Sequence, residues 1–82
     1  MYSIEYAETT VKQLKKLDRV TQQRILATIE RCRIRPYPHV KSLVGSPYYI
    51  LRVGDYRVIL DIKDNKLIIY VIEIGHRKNI YK

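Results

Sequence analysis

The second half of the sequence gathers side chains of a few chemically useful kinds. Arg52 and Arg57 stand on either side of Gly54-Asp55, and His76, Arg77, Lys78 and Tyr81 follow Gly75 near the C-terminal end. A guanidinium is a permanent cation with five N–H donors, suited to a phosphate or a developing oxyanion. An imidazole titrates near neutrality and carries protons, and a phenol stacks on a nucleobase. Together these groups can hold a phosphate, move protons and engage a base. A plain basic tail would show the same composition without any site in it.

The missing motifs narrow the chemistry. The chain has no carboxylate cluster suited to magnesium and no histidine pair at zinc spacing. It also has no glycine-rich loop leading into a helix and no serine in a nucleophile elbow. The expectation is therefore no metal site and no small-molecule cofactor, with chemistry supplied by cations, tyrosine and histidine. Metal-free RNA cleavage is one reaction for which that set suffices. Its substrate brings its own nucleophile, the adjacent 2′-hydroxyl, and the protein need only orient, deprotonate and stabilise.

Charge points to the same partner. Sixteen Lys and Arg against eight Asp and Glu leave a formal net charge of +8 on 82 residues. A polyanion is the natural partner, and nucleic acid is the commonest, because its phosphates release counterions on meeting Lys and Arg. Solubility alone, or an acidic protein partner, would also account for the excess.

The spacing around Gly54-Asp55 gives the candidate site its geometry. If these two residues form a tight hairpin turn, Val53 faces Tyr56, Arg52 faces Arg57, Leu51 faces Val58 and Ile50 faces Ile59. Tyr49, Leu51, Val53, Tyr56, Val58 and Leu60 then share one side, and Ile50, Arg52, Arg57, Ile59 and Asp61 the other. Arg52 and Arg57 become directly opposed like charges, which destabilises a hairpin unless an anion lies between them. A phosphate would serve. Otherwise both guanidiniums splay into water, or Asp61 and Glu73 neutralise them.

The elements that must position these residues follow from hydrophobic period. Tyr2, Ile4 and Tyr6 alternate with Ser3 and Glu5, the pattern of a half-buried strand. From Thr9 the period lengthens, with Val11, Leu14 and Leu17 on the inner face of a short helix. Asp18 reads as the N-cap of a second helix, which carries Ile25, Leu26, Ile29 and Cys32 inward and ends before Pro36. Residues 36–47 hold all three prolines and show no sustained period, so a surface connection is expected. Tyr48 to Val53, Tyr56 to Lys63 and Leu67 to Ile74 then read as three strands in two successive hairpins, with Gly75 stopping the last.

The expected fold is thus α+β: an N-terminal strand, a two-helix hairpin and a three-stranded antiparallel meander, with the helices packed on one sheet face. In the last strand Leu67, Ile69 and Val71 fall on one side and Ile68, Tyr70, Ile72 and Ile74 on the other. Apolar on both faces, it reads either as a central strand or as a docking surface for a partner segment. Residues 1–82 form one domain, since the chain is too short to divide. The single cysteine, Cys32, permits no internal disulfide and fits a core position in its helix. No signal peptide opens the sequence and no apolar run reaches membrane-spanning length, so a cytoplasmic protein is expected.

With these residues in place, the chain resembles the RelE branch of the RelE/ParE toxin superfamily. The likeness rests on Leu43-Val44-Gly45, on the run from Leu51 to Ile59, on Gly75-His76-Arg77 and on Tyr81, and extends over nearly the whole chain. It implies a ribosome-dependent endoribonuclease that cuts messenger RNA in the decoding site and is held inactive by a cognate RelB-like antitoxin. By resemblance, Arg57 and Arg77 match the two arginines of the family's active surface and Arg52 a strand position usually basic. Tyr81 matches the C-terminal tyrosine that stacks on or helps deprotonate the substrate. Ile50 departs from the pattern, falling where some members carry a second lysine, so the cationic cluster is thinner here.

The proton carriers are left open by the residues themselves. Arginine stabilises an oxyanion well but gives up a proton with difficulty, and a tyrosine needs its proton affinity lowered to act as a base. His76 has a suitable intrinsic pKa, although alternation after Ile74 turns its ring away from Arg77. Lys41 and Lys78 read either as phosphate contacts or as ordinary solvated lysines. Two other functions fit the sequence: a gyrase-poisoning toxin of the ParE branch without ribonuclease activity, and a non-catalytic basic RNA-binding module.

Overall fold

A computed structural model describes residues 1–77 of the chain. Ser3–Tyr6 forms strand β1, Glu8–Lys15 helix α1 and Arg19–Arg31 helix α2. Asp18 caps α2 as its position suggests, its carboxylate accepting from the Thr21 N–H at 3.1 Å and the Thr21 hydroxyl at 2.6 Å. These bonds hold that carboxyl below its usual pKa. After a 3₁₀ turn over Tyr37–His39 come β2 (Val40–Ser42), β3 (Tyr49–Val53), β4 (Tyr56–Lys63) and β5 (Ile68–His76).

All five strands form one sheet in the order β1-β5-β4-β3-β2, with β1 parallel to β5 and the other pairs antiparallel. Among the described residues no helix is long and apolar enough to cross a membrane. The core lies between the helices and one sheet face. Leu14, Ile25, Ile29 and Cys32 come from the helical side, and Leu51, Val53, Val58, Leu60, Ile62, Ile69, Val71 and Ile74 from the sheet. Ile4 and Tyr6 pack against this cluster, as the alternation in β1 requires. Burial pushes the Cys32 thiol up to about 11, in keeping with a core residue and not a nucleophile.

Four details differ from the sequence expectation, each for a local reason. The stretch 36–47 is more than a connection, because Val40, Lys41 and Ser42 pair with Leu51, Ile50 and Tyr49 and extend the meander by a short edge strand. The inner face of α1 is made by Leu14, as expected, together with Thr10, which is fully buried, while Val11 is 38% exposed. Leu67 precedes β5 instead of opening it, since its φ of 54° is left-handed and incompatible with a strand. Gly75 does not stop β5; it pairs with Arg57, and the strand runs on to His76.

A bulge sets the phase of β5. Ile59 pairs with Glu73 but Leu60 pairs with Val71, so Ile72 is an extra residue in the ladder. Ile74 therefore joins Ile69 and Val71 in the core instead of falling on the far side with Ile68 and Tyr70. The apolar content of β5 on both faces has its explanation in topology: it is an inner strand, flanked by β1 and β4.

Candidate functional site

The register of the first hairpin is the one the turn demands. Val53 faces Tyr56, Arg52 faces Arg57, Leu51 faces Val58 and Ile50 faces Ile59. Gly54 makes it possible with a φ of 59°, which costs an L-residue energy and glycine little. Since Leu51, Val53, Val58 and Leu60 are in the core, Arg52 and Arg57 lie on the face away from the helices. Lys41 pairs with Ile50, two residues along β3 from Arg52, and so belongs to that same face one strand further out.

The two opposed arginines adopt different environments. Arg52 is exposed, whereas Arg57 retains only 6% of its surface. Arg57 Nη1 donates to the Tyr56 carbonyl at 3.1 Å and the Gly54 carbonyl at 3.3 Å, which draws its guanidinium toward the turn. Asp61 is engaged by Lys63 at 3.4 Å. A buried guanidinium keeps its charge and acts through a lower effective dielectric than an exposed one, so its pull on an anion is stronger.

Arg77 is brought to the same end of the sheet by the turn itself. Its N–H donates to the Asp55 carbonyl at 2.8 Å, and its Nη1 lies 3.9 Å from Asp55 Oδ1. With both side chains more than half exposed, this ion pair orients Arg77 more than it stabilises the fold. On β5 the residue facing Arg57 is Gly75, which has no side chain to occupy the space beside the guanidinium. The glycine before His76 was legible in the sequence, but only as a strand terminator; its place opposite Arg57 depends on the bulge.

His76 does not join the arginines. It pairs with Tyr56, a core-side position, and its ring meets the Tyr56 ring edge-on with centroids 5.6 Å apart. The reason is the extra residue at Ile72, which puts Gly75 on the arginine face and His76 on the helix face. Lys78 and Tyr81 lie outside the described residues. Arg52, Arg57 and Lys41 are therefore neighbours on one face, with Arg77 tethered at its turn end.

A cleft of about 290 Å³ that sequence reasoning did not foresee adjoins this cluster. It is formed by the β2–β3 hairpin, with Leu43, Val44 and Ile50 as its apolar walls and His39, Lys41 and Arg52 around it. Its only signal in the sequence is Leu43-Val44-Gly45, an apolar pair ahead of a turn glycine.

A small basic α+β domain with arginines gathered on the sheet face opposite α1 and α2 is the class that fold and site define. A family model described as the ParE toxin of a type II toxin-antitoxin system, parDE, matches residues 4–81. An Escherichia coli protein described as a putative RelE-like toxin is 30% identical over 80 residues, 94% of this chain and 84% of that protein. Among solved structures, a chain of the archaeal RelE-RelB complex from Pyrococcus horikoshii superposes with a TM-score of 0.83 at 26% identity, covering 95% of this chain and 97% of that one. A chain of the RelB-RelE antitoxin-toxin complex from Methanococcus jannaschii gives a TM-score of 0.73 at 30% identity, with 95% of each chain covered. The chain belongs to the RelE/ParE superfamily of type II toxin-antitoxin toxins, on its RelE-like branch.

Proposed function

We propose that this toxin is a metal-free endoribonuclease that cleaves messenger RNA in the ribosomal decoding site, acts in the cytoplasm and is restrained by a cognate RelB-like antitoxin. The observation that carries the reading is the turn-enforced opposition of Arg52 and Arg57, with Arg77 tied to the same turn through Asp55. Like charges at directly opposed strand positions favour an anion between them, and a phosphodiester is the anion that such a toxin would meet. The 2′-oxygen attacks the adjacent phosphorus, the P–O bond to the next nucleotide breaks, and a cyclic phosphate end remains. Arg57 and Arg77 stabilise the extra negative charge on the pentacovalent phosphorus, and Arg52 and Lys41 hold the backbone on either side. Tyr81, by resemblance, stacks on or deprotonates the substrate, and Lys78 adds general affinity. His76, which packs on Tyr56, is assigned no contact with substrate.

The structural relatives from Pyrococcus horikoshii and Methanococcus jannaschii occur in complexes with RelB, which supports the antitoxin assignment for this chain. Folded Arg57→Ala and Arg77→Ala variants test the chemistry. In a translating extract each is expected to cut message at least about 100-fold more slowly, the loss typical of removing one oxyanion donor. Undiminished cleavage by both would end the proposal. A second reading, a gyrase-poisoning toxin, is favoured by the ParE description of the matching family model. Double-strand DNA breaks with intact message on expression would select it, and salt-sensitive RNA binding without any product would select a non-catalytic binder.

A further inference from the structure

The β2–β3 hairpin holds an apolar side chain out in solvent beside a cationic face. Ser46 N–H donates to the Leu43 carbonyl at 3.1 Å and Leu43 N–H to the Tyr48 carbonyl at 3.0 Å. The Ser46 hydroxyl accepts from the Tyr48 N–H at 3.1 Å. Gly45 sits at the third position of the resulting turn with a φ of 76°, the left-handed value that a type II turn requires there. This bonded loop fixes Val44 at 97% exposure over a cleft whose inner wall is Ile50, buried to 6%. One exposed valine costs little by itself; this one is distinguished by its place, set by the bonded loop at the mouth of an apolar cleft where a ligand would cover it.

The surroundings identify the cover. Lys41 and Arg52 line the same cleft, and Arg52 is also one of the two opposed arginines. A ligand that fills the cleft must therefore offer an apolar flat surface and, one residue away, an anion. A single-stranded nucleotide has both: its base is a planar face and its phosphate reaches the arginines. An apolar peptide segment would satisfy the walls but not the cations. We infer that the Leu43–Val44–Ile50 cleft receives one unstacked RNA base, next to the phosphate held by Arg52, and so sets a base preference at that one position. The inference rests on the ribonuclease reading and deepens it.

Short single-stranded oligonucleotides carrying 2′-O-methyl groups bind without being cut, because the attacking hydroxyl is blocked. The test replaces each base in turn with an abasic site and follows affinity by fluorescence anisotropy. Loss of the base at one position is expected to weaken binding about fivefold or more, the lower end of what stacking on side chains contributes, and loss elsewhere to matter little. Val44→Ser, at an exposed turn position that leaves the fold intact, should flatten this profile without changing the salt dependence. Leu43→Ser should do the same from the other wall.

A flat abasic profile with salt-sensitive binding retained would overturn the inference and leave the ribonuclease reading standing. A positional profile that survives both substitutions would overturn it too, by showing that the base is read elsewhere. If the two substitutions weaken binding of an apolar antitoxin peptide while the abasic profile is unchanged, the cleft belongs to a protein partner. Absence of both salt-sensitive binding and RNA cleavage by the intact protein would remove the inference together with the reading beneath it.

Discussion

Strand β1 pairs with β5 only from Ile68 to Val71, so the outer edge of β5 beyond Val71 must find its hydrogen bonds elsewhere. The backbone of Ala7 and side chains of helix α1 supply them. The Val71 carbonyl accepts from the Ala7 N–H at 3.0 Å and the Thr10 hydroxyl at 2.8 Å. The Thr9 hydroxyl donates to the Ile72 carbonyl at 3.4 Å, and Gln13 Oε1 accepts from the Ile74 N–H at 2.8 Å. Two substitutions in this seam should differ in cost. Thr10→Val removes a donor, yet the Val71 carbonyl keeps the Ala7 N–H, so the loss should be about 0.5–1.5 kcal/mol, the net value of one hydrogen bond. Gln13→Met leaves the N–H of Ile74, a residue only 3% exposed, without its acceptor. That should cost about 1–3 kcal/mol, because the group is desolvated and unsatisfied. Urea unfolding with an unchanged m-value would measure both, and hydrogen exchange at Ile74 should accelerate in Gln13→Met alone. The reasoning fails if Gln13→Met is no more destabilising than Thr10→Val, or if the Ile74 amide stays fully protected. The seam matters for function because Ile74 leads directly into Gly75-His76-Arg77, and a loosened β5 end would displace Arg77 from its turn.

Lys41, Arg52, Arg57 and Arg77 are proposed to meet the RNA backbone and Lys78 to add to them, so log affinity against log salt should slope at about −2.8 to −3.5, with each alanine variant shallower by about 0.7; an Arg52→Ala variant with an unchanged slope would exclude that contact. Gly54→Ala should cost about 1–2 kcal/mol in thermal or urea unfolding through its left-handed backbone. The added methyl would stand 3.5 Å from Arg24 Nη2, an ordinary contact, so a cost near zero would mean the turn has changed type. Asp64 accepts hydrogen bonds from the Tyr2 and Tyr37 hydroxyls, both at 2.7 Å, which hold its carboxyl below the usual range. Because the folded-state pKa is depressed, this stabilisation is complete above the ordinary carboxylate pKa and disappears as pH falls through the lowered value. Asp64→Asn should therefore flatten the acid limb of the stability curve in that window, and an unaltered limb would show that the two tyrosines do not tie β1 and the 3₁₀ turn to the β4–β5 turn.

What could be read beforehand was whatever depends on neighbours in sequence. Gly54-Asp55 between two alternating apolar runs determines a hairpin, and with it the partner of every residue from Ile50 to Ile59. Asp18 three residues before Thr21 determines a cap. What escaped depends on the sheet as a whole. Val40–Ser42 becomes a strand because β3 offers it an open edge, and three residues near prolines carry no periodic signal of that. Thr10 is buried in preference to Val11 because its hydroxyl adds a second hydrogen bond to the Val71 carbonyl at the end of β1, a tertiary contact invisible in the amphipathic pattern of α1. The cleft at Val44 arises only once that unforeseen edge strand turns back on β3.

The bulge at Ile72 connects these structural details to the chemistry. With strict alternation from Val71, Gly75 would face the helices, Ile74 would stand opposite Arg57 and His76 would lie on the arginine face two residues further along, putting an imidazole at the edge of the arginine cluster. One extra residue reverses the phase: Gly75 faces Arg57, and His76 packs on Tyr56. The arginine face thus loses the one side chain among these candidates whose ordinary pKa lies near neutrality, and has a glycine opposite its buried arginine. A site so built is suited to stabilising charge on a phosphodiester whose nucleophile is already in the substrate. If the chain cleaves RNA as proposed, a group other than His76 is the better candidate for proton transfer, and the residues after Arg77, Tyr81 first among them by resemblance, are the place to look for it.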